Sequence, residues 1–440
     1  MWPYHPDLLA TPVPRYTSFP TAADFGDDVG PADMAAALAN VGADEPISLY
    51  LHVPYCREIC WYCGCNTGAV NRPERLEGYL ERLGAEIDRI AAALDGRGRV
   101  VHIAWGGGSP NAMSPAQFDR LCARLREAFA TTGAAHSVEI DPRHFGWDWA
   151  EALARNGVNR VSLGVQTFSP RIQSAIGRIQ PAEAIACAMG RLRASGVGSI
   201  NFDLMYGLPG QTAEDLSETL DTALSMRPER LAVFGYAHVP HLIPRQRRID
   251  DTALPDAQAR FEMAWAAHKR LTEAGHVPVG FDHFALPHDP LALAATNGTL
   301  GRNFQGFTAD PGRTVIGLGA SAISAFPGAL LQNEKNAGRW QLRLAGGGFA
   351  TSRGIRRSAR DRATGYAIES LLCRGEAEIA ALADAAAVRA RLAPFVDRGL
   401  ATWTGGRLRL AEDALPYARG MAACLDPWRA TSTVKFSSAV

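Results

Sequence analysis

The sequence has no long apolar run, no excess of either charge and little cysteine. No stretch reaches the ~18 apolar residues that a transmembrane helix needs, so we expect no membrane span. Residues 1–25 lack the basic start and apolar core of a signal peptide. We therefore expect a cytoplasmic protein with reduced thiols. The 45 acidic and 45 basic residues cancel, which argues against a nucleic acid or an anionic membrane as a bulk partner.

Four of the eight cysteines stand together in CREICWYCGC, residues 56–65. A tight cytosolic group of thiols is typical of metal binding or redox chemistry. No second Cys or His pair of the kind that completes a structural zinc site is visible. Cys56, Cys60 and Cys63 suit three irons of an iron–sulfur cubane, with the fourth iron open to a ligand. Cys65 follows Cys63 by two positions; we expect the two side chains to diverge and Cys65 not to be a ligand.

The middle of the chain alternates between β-rich and helical patterns. Six βα units in series predict a parallel sheet, because each parallel strand needs a crossover. Two later β-rich runs extend the series, and the pattern alone does not separate an open sheet from a full or partial barrel. The cysteine loop follows the first strand, at the carboxyl end where ligands gather in such folds. The predicted strands are 47–53, 100–105, 136–140, 160–165, 199–205, 231–236, 276–281 and 314–319.

The two ends of the chain have a different character from the middle. The first residues are broken by proline, and we expect them to bury little apolar surface. Near the other end, the Gly-rich stretch 345–354 predicts a linker or hairpin, and helical patterns follow at 361–384 and 386–399. Residues 401–410 predict two short strands about a Gly-Gly turn. A helix with a small hairpin suggests a winged-helix module, and its mixed charge favours a packing lid over a DNA reader.

Nine motifs along the chain carry a family resemblance: PRYTSFPTA, YLHVPYCREICWYCGCNT, WGGGSPN, VEIDPR, GVQTF, NFDLMYGLPGQT, YAHVP, RNFQGFT and GLGASAIS. Together they resemble the oxygen-independent coproporphyrinogen III oxidases, which are radical S-adenosylmethionine (SAM) enzymes, over residues ~5–330. The resemblance implies an α/β fold: a partial (βα)6 radical SAM barrel with extra strands and a smaller, mostly helical C-terminal domain. The expected division is an arm over the active site at 1–36, the barrel at 37–335 and a winged-helix-like lid at 336–440.

The resemblance also implies a reaction. A [4Fe–4S] cluster on Cys56, Cys60 and Cys63 would bind SAM at its open iron and release a 5′-deoxyadenosyl radical. The radical would take hydrogen from a propionate β-carbon of coproporphyrinogen III, and loss of CO2 and an electron would leave a vinyl group. Two such decarboxylations give protoporphyrinogen IX in heme biosynthesis. The implied partners are the tetrapyrrole substrate and a small electron-donor protein such as a flavodoxin, and we expect a monomer.

Further site residues follow from the resemblance, position by position. Two SAM molecules are expected. Arg15 and Tyr16 belong to the arm and are expected to bind substrate, since Arg suits a propionate carboxylate. The alternation of the first strand also turns His52 toward the site. The residues implied for the cluster-bound SAM are Tyr50, Gly107 and Glu139, and those for the second SAM are Tyr62 (where the family has Phe), Gly108, Ser109, Gln166, Arg178, Asp203, Ala237 and Ile323.

Two other functions remain open on the sequence. A heme chaperone of the same superfamily would keep the cluster and make no product, although PRYTSFPTA at 14–22 speaks against it. A radical SAM methyltransferase that modifies heme is the other alternative. Heme binding and product analysis separate the three.

Overall fold

The computed structural model describes residues 1–429. Its helices are α1 Pro6–Leu9, α2 Pro31–Ala39, α3 Pro73–Leu94, α4 Pro115–Ala128, α5 Trp147–Arg155, α6 Pro170–Ala175, α7 Ala182–Ala194, α8 Ala213–Ser225, α9 Ala257–Glu273, α10 Pro290–Thr296, α11 Ala337–Ala345, α12 Ala359–Arg374, α13 Ala385–Val396 and α14 Ala418–Leu425. Short 3-10 helices lie at Ala22–Asp24, Pro110–Ala112, Pro142–His144, Pro244–Arg248, Asp251–Ala253 and Leu415–Tyr417.

The strands form one large sheet and three small ones. They are β1 Pro46–Val53, β2 Tyr55–Cys56, β3 Gly68–Ala69, β4 Arg99–Gly107, β5 Ala135–Ile140, β6 Arg160–Gln166, β7 Ser199–Tyr206, β8 Arg230–Gly235, β9 Val277–Val279, β10 His283–Ala285, β11 Gly301–Asn303, β12 Gly306–Thr308, β13 Thr314–Leu318, β14 Ile323–Phe326, β15 Ala329–Asn333, β16 Thr351–Arg356, β17 Glu376–Glu378, β18 Ala401–Thr404 and β19 Arg407–Leu410.

The large sheet has twelve strands in the order β16-β15-β14-β13-β1-β4-β5-β6-β7-β8-β10-β9. The strands from β13 through β1 and β4 to β8 run parallel. Antiparallel strands extend both edges. The predicted (βα)6 series with extra strands is therefore confirmed, and the helices of the C-terminal region follow it. Of the two additional predicted strands, 314–319 pairs in parallel with β1, whereas 276–281 becomes the short antiparallel edge strand β9.

Side-chain alternation along the parallel strands separates the packing core from the site. In β1, Leu49 and Leu51 are fully buried in the hydrophobic core that also contains Leu80 and Leu83 of α3. The intervening residues, Tyr50 among them, point to the other face, because successive strand side chains alternate. The carboxyl ends of the strands thus bring their inward-facing polar residues to one edge of the barrel.

The N-terminal segment is part of a second hydrophobic core. Trp2, Leu9, Val13 and Phe19 are each no more than 6% exposed and share a cluster with residues of α9, α12, α13 and α14. Trp2 itself packs against Phe261 of α9. The expectation that this segment buries little apolar surface is therefore wrong. Its prolines and scattered hydrophobic residues have no helical or strand period, so their burial depends on contacts with the far end of the chain.

The C-terminal region contains the predicted hairpin, β18 and β19 about Gly405, and β17 adds a third strand. The helical pattern predicted over 361–384 ends early, because Gly375 takes the left-handed conformation (φ 69°) that caps α12. The Gly-rich stretch at 345–354 ends α11 and enters β16, a strand of the large sheet beyond the predicted boundary at residue 335. The division into domains remains a prediction, and its last part, 430–440, lies outside the described residues.

The helices within 1–429 were also compared with the dimensions of a bilayer. None of them combines the length and the hydrophobicity that a membrane crossing requires.

Candidate active site

A cavity of about 180 Å³ opens at the carboxyl ends of the parallel strands, beside the cysteine loop. The loop forms one wall, and the ends of β4 to β7 form the others. Ten of the residues singled out from the sequence line this cavity: Cys56, Cys60, Cys63, Tyr62, Gly108, Ser109, Glu139, Gln166, Arg178 and Asp203.

The three predicted ligand thiols share this cavity and lie beside hydrogen-bond donors. Cys56 Sγ is 3.3 Å from Thr67 Oγ1, and Arg178 Nη1 donates to Cys60 Sγ at 3.2 Å. Within residues 1–429, no group of three or more His, Cys, Asp or Glu is arranged to hold a single metal ion. A tetrahedral ion requires sulfurs roughly 3.8 Å apart, given Zn–S bonds of about 2.3 Å. A cubane instead takes one thiolate per iron, so three separated thiols around a cavity fit it.

Cys65 departs from the sequence expectation. The loop bends at Cys65, so the alternation of an extended chain does not apply, and its side chain lies on the same cavity as Cys63. The Cys65 backbone N–H donates to Cys63 Sγ at 3.4 Å. A hydrogen bond from the Cys65 thiol is the main reason why the pKa of Cys63 falls to about 6. The expectation that the two side chains diverge is wrong; that Cys65 is not a ligand remains a prediction.

Gly106, Gly107 and Gly108 bring the end of β4 against three neighbouring surfaces. A Cβ on Gly106 would stand 2.7 Å from the Glu139 carboxylate, and one on Gly108 would stand 2.4 Å from a backbone oxygen of β2. Gly107 has φ 109°, and a Cβ there would stand 2.5 Å from the ring of His52. Each position therefore excludes any side chain, and the bare backbone forms a smooth wall next to the cavity.

Glu139 projects from β5 into the cavity, where it accepts a hydrogen bond from the Gly107 N–H at 3.3 Å. Protein surrounds the cavity on most sides, and this desolvation raises the pKa of Glu139 to about 7, with the charges of Asp203 and Cys63 adding to the shift. A carboxylate that faces an enclosed space with few protein partners is suited to accept hydrogen bonds from a ligand.

Gln166, Arg178 and Asp203 come from three successive parts of the barrel and meet around Gly164 of β6, where they form another wall of the cavity. Gln166 has φ 67° at an irregularity of β6, which turns its side chain into the cavity. Arg178 follows α6 and also donates to the backbone oxygen of Gly164 at 2.6 Å. Asp203 accepts from Ser162 Oγ at 2.8 Å, and burial raises the pKa of Asp203. The wall thus carries both a fixed cation and hydrogen-bonding groups.

Four of the remaining predicted residues do not line this cavity, and one of them, Ala237, lines a second cavity of about 50 Å³. Gly107 donates its backbone N–H to Glu139, which does line the cysteine cavity. The hydroxyl of Tyr50 lies 3.2 Å from Nδ1 of the buried His52. The Ala237 carbonyl accepts from the Gln246 side chain at 3.0 Å, and the same amide donates to the loop at Tyr62 O. Ile323 begins β14, directly against the β13 residue that pairs with Tyr50.

Arg15 and Tyr16 lie at a different place. Arg15 Nη2 donates to Gly235 O at 3.1 Å, and the side chain lines a separate cavity of about 50 Å³ together with Arg260, Arg419 and Asp282. The Tyr16 ring is buried, and its hydroxyl donates to Asp426 at 2.9 Å. The structure therefore does not bring these two side chains to the cysteine cavity, and their contact with substrate remains a prediction.

Sequence reasoning missed two charged residues beside the cysteine loop, of which Asp141 lines the cavity and Arg143 lies behind it. Asp141 and Arg143 belong to the VEIDPR motif, from which only Glu139 was assigned. Burial alone would raise the pKa of Asp141, but the charges and hydrogen bonds of Arg178 and Arg143 outweigh it and lower the pKa to about 2. Arg143 Nη2 also points at Cys60 Sγ, 3.8 Å away. The sequence did contain a signal: an acidic and a basic residue, separated by a single proline, directly after a predicted strand.

The barrel and its cysteine loop define a protein of the radical SAM superfamily, whose family model matches residues 50–223. The chain is 42% identical to the oxygen-independent coproporphyrinogen III oxidase of Bradyrhizobium diazoefficiens, over 94% of each chain. It is 42% identical to the enzyme of that name from Paracoccus denitrificans, over 83% of this chain and 81% of the other.

Among solved structures, the chain is similar to coproporphyrinogen III oxidase (HemN) from Escherichia coli, described as a radical SAM enzyme. The TM-score is 0.91 at 33% identity, with 97% of this chain and 99% of that chain covered. The chain belongs to the family of oxygen-independent coproporphyrinogen III oxidases.

Proposed function

We propose that this chain oxidatively decarboxylates two propionates of coproporphyrinogen III to vinyl groups in the absence of oxygen, giving protoporphyrinogen IX for heme biosynthesis. The chain is a radical SAM oxidoreductase, and its cofactors are a [4Fe–4S] cluster and SAM. The observation that carries the proposal is the cavity at the strand ends, where three cysteines of one loop share the lining with the Gly108 backbone, the open Glu139 carboxylate and the fixed Arg178 guanidinium.

The proposed residues fall into two groups, those that would hold the cluster and those that would bind SAM. Cys56, Cys60 and Cys63 would hold the cluster, and the cluster and SAM together supply a 5′-deoxyadenosyl radical. Gly107 would meet the methionine moiety through its backbone, and Glu139, which the Gly107 N–H holds, would accept hydrogen bonds from ribose hydroxyls. Tyr50 would close the floor of this SAM site.

A second SAM molecule would bind at the wall formed by Gln166, Arg178 and Asp203. These residues offer an amide, a cation and an acid, and hydrogen bonds to the barrel strands hold the cation and the acid in place, which suits a zwitterionic ligand. The residues proposed for it are Tyr62, Gly108, Ser109, Gln166, Arg178, Asp203, Ala237 and Ile323. Tyr62 contributes a ring and a hydroxyl where the family has a ring alone.

We propose that the arm, 1–36, and the C-terminal domain, 336–440, cover the cavity from above. Arg302 of the barrel domain supports this placement of the arm. Its guanidinium donates to the backbone oxygens of Arg15 and Tyr16 at 3.0 and 3.1 Å. A cover of this kind excludes water from a reactive intermediate. Arg15 and Tyr16 would then contact the four-carboxylate substrate after a local rearrangement of the arm.

The electron would come from a small acidic electron-transfer protein such as a flavodoxin. We propose that the enzyme acts as a monomer in the reducing cytoplasm. The segment Pro244–Arg248 supports this choice, since it packs on the cysteine loop: Arg245 Nη2 donates to Thr67 O at 3.0 Å. Arg247 and Arg248 on the same segment are exposed, and neither is in an ion pair with another described residue. Exposed arginines beside a redox loop favour an acidic partner.

Anaerobic turnover tests the proposed function. Cluster-loaded protein is supplied with SAM, a reductant and coproporphyrinogen III that carries deuterium at the propionate β-carbons. We expect about two 5′-deoxyadenosines and two CO2 for each protoporphyrinogen IX, with deuterium in the nucleoside, because a radical cofactor breaks one C–H bond per propionate. Reaction without SAM is the control. Tight heme binding without product would instead identify a chaperone, and methylated heme a methyltransferase.

A further inference from the structure

Arg143 makes a set of contacts that the proposed roles leave unexplained. Its side chain is 6% exposed although it carries a full charge. It lies in the short 3-10 helix after β5, directly behind the cysteine loop. A buried guanidinium persists only where its donors are satisfied, so its partners indicate what it is there to hold.

Those partners come from two elements. Arg143 binds the Asp141 carboxylate through Nε at 3.0 Å and Nη2 at 2.6 Å, which fixes the plane of the guanidinium. Nη1 reaches across to Glu58 Oε2 at 2.7 Å. Glu58 lies between Cys56 and Cys60, so this contact ties the loop to the end of β5.

The remaining edge of the guanidinium faces a sulfur. Arg143 Nη2 is 3.8 Å from Cys60 Sγ, and Arg178 Nη1 approaches the same sulfur at 3.2 Å. Asp141 lies between the two arginines and accepts from both. Cys60 is therefore flanked by two cations whose orientation one carboxylate sets.

We propose that Arg143 is a positioning residue that tunes the reduction potential of the cluster. Reduction adds one negative charge to a cluster, and hydrogen bonds to its sulfurs together with nearby positive charge raise its potential. The fork of Arg143 holds an N–H and a cation against Cys60 Sγ, which favours the reduced state that the chemistry requires. This inference rests on the proposed ligand role of Cys60.

The test is a redox titration of the anaerobically reconstituted protein, followed by the EPR signal of the reduced cluster. At the wild-type midpoint potential we expect Arg143→Gln to lower the ratio of reduced to oxidised cluster about tenfold, which for one electron is a shift of about 59 mV to lower potential. Arg143→Lys keeps the charge but cannot serve Asp141, Glu58 and Cys60 together, so we expect a smaller decrease of about threefold.

Arg155→Gln is the matched control. It removes one positive charge from the neighbouring helix α5, where the side chain is 53% exposed and pairs with Asp119. We expect its midpoint potential to equal that of the wild type, so that a shift confined to the Arg143 variants assigns the effect to the contact with Cys60.

Iron content decides which result is informative. If Arg143→Gln loads a cluster at the wild-type potential, the inference is wrong. If that variant loads no iron, Arg143→Lys decides in the same way: a lowered potential supports the inference and an unchanged one overturns it. A wild-type chain that loads no cluster would contradict the proposed function itself, which keeps the two failures distinct.

Discussion

The cysteine loop and the N-terminal arm are both short and irregular, yet different interactions hold them in place. The loop, 56–65, is fixed mainly by directed polar contacts such as Arg143 with Glu58 and Gln246 with the Tyr62 carbonyl. The arm is fixed by buried aromatic and aliphatic side chains, with Trp2 and Phe19 in the core of the C-terminal region. On the loop side these contacts are solvent-accessible, with Glu58 56% exposed, and such polar contacts are individually weak, so the loop can adapt to a ligand. The arm instead belongs to the folded core.

The largest effect separates the loop from the rest of the chain. Replacing Cys56, Cys60 or Cys63 with Ala should abolish the cluster and turnover, because each removes one of three proposed thiolate ligands. Iron analysis and the visible absorption of the reconstituted protein measure this. Cys65→Ala should keep its iron, and Cys187→Ala is the matched control because that thiol is exposed on α7. Loss of iron in Cys65→Ala with retention in Cys56→Ala would reverse the ligand assignment.

The second effect tests the arm as a structural element. Deleting residues 1–20 removes Trp2, Leu9, Val13 and Phe19 from their core, and at roughly 1.5–3 kcal/mol for each buried side chain we expect a loss of unfolding free energy of at most about 6–12 kcal/mol. Denaturant unfolding measures it. Trp2→Ala should reproduce part of the loss, whereas Trp147→Ala, at a 53% exposed position, should not. Unchanged stability after the deletion would return the arm to a loosely attached tail.

The third effect contrasts two tyrosines. Tyr16→Phe leaves Asp426 without its buried phenol partner and should lower the unfolding free energy by about 1–2 kcal/mol. Tyr50→Phe removes a contact with His52 beside the cavity, and there we expect weaker SAM binding with little change in stability. Unfolding curves and SAM titrations of both variants distinguish the roles. A Tyr16→Phe protein of full stability but raised KM for coproporphyrinogen III would favour the substrate role predicted from the sequence.

The smallest effect concerns delivery of the electron. Arg247→Glu with Arg248→Glu should slow cluster reduction by a flavodoxin several-fold, roughly the range that rim charges contribute to association, and more so at low salt. Reduction by dithionite, a small molecule, should be unchanged. Arg82→Glu with Arg99→Glu makes the same change of charge at exposed positions on α3 and at the amino end of β4. Equal slowing by both double variants would place the docking surface elsewhere.

The sequence predicted most of the barrel because the barrel is built from local patterns. Each predicted strand of the βα series was found within a few residues, and the cysteine loop, which follows the first of them in the sequence, lies at the carboxyl end of β1. The hairpin about Gly405 was predicted for the same reason: a Gly-Gly turn between two β-rich runs is a local signal.

The features that sequence reasoning missed depend on contacts between distant residues. Cys65 lies beside Cys63 because the loop bends around a cavity, and no spacing rule describes that bend. The ion pair of Arg143 with Glu58 forms only when folding brings the end of β5 against the loop. Trp2 packs against Phe261 and Trp265 of α9, about 260 residues later in the chain. Propensity and period describe neighbours along the chain, whereas these contacts are tertiary.

The pairing of Tyr16 with Asp426 spans 410 positions and sets an order of events during synthesis. A ribosome releases the barrel strands and the cysteine loop long before it releases Asp426, and domains generally begin to fold from the N-terminal side. Tyr16 therefore emerges among the first residues but meets its partner among the last, so this contact forms only after the barrel and the cysteine loop have left the ribosome.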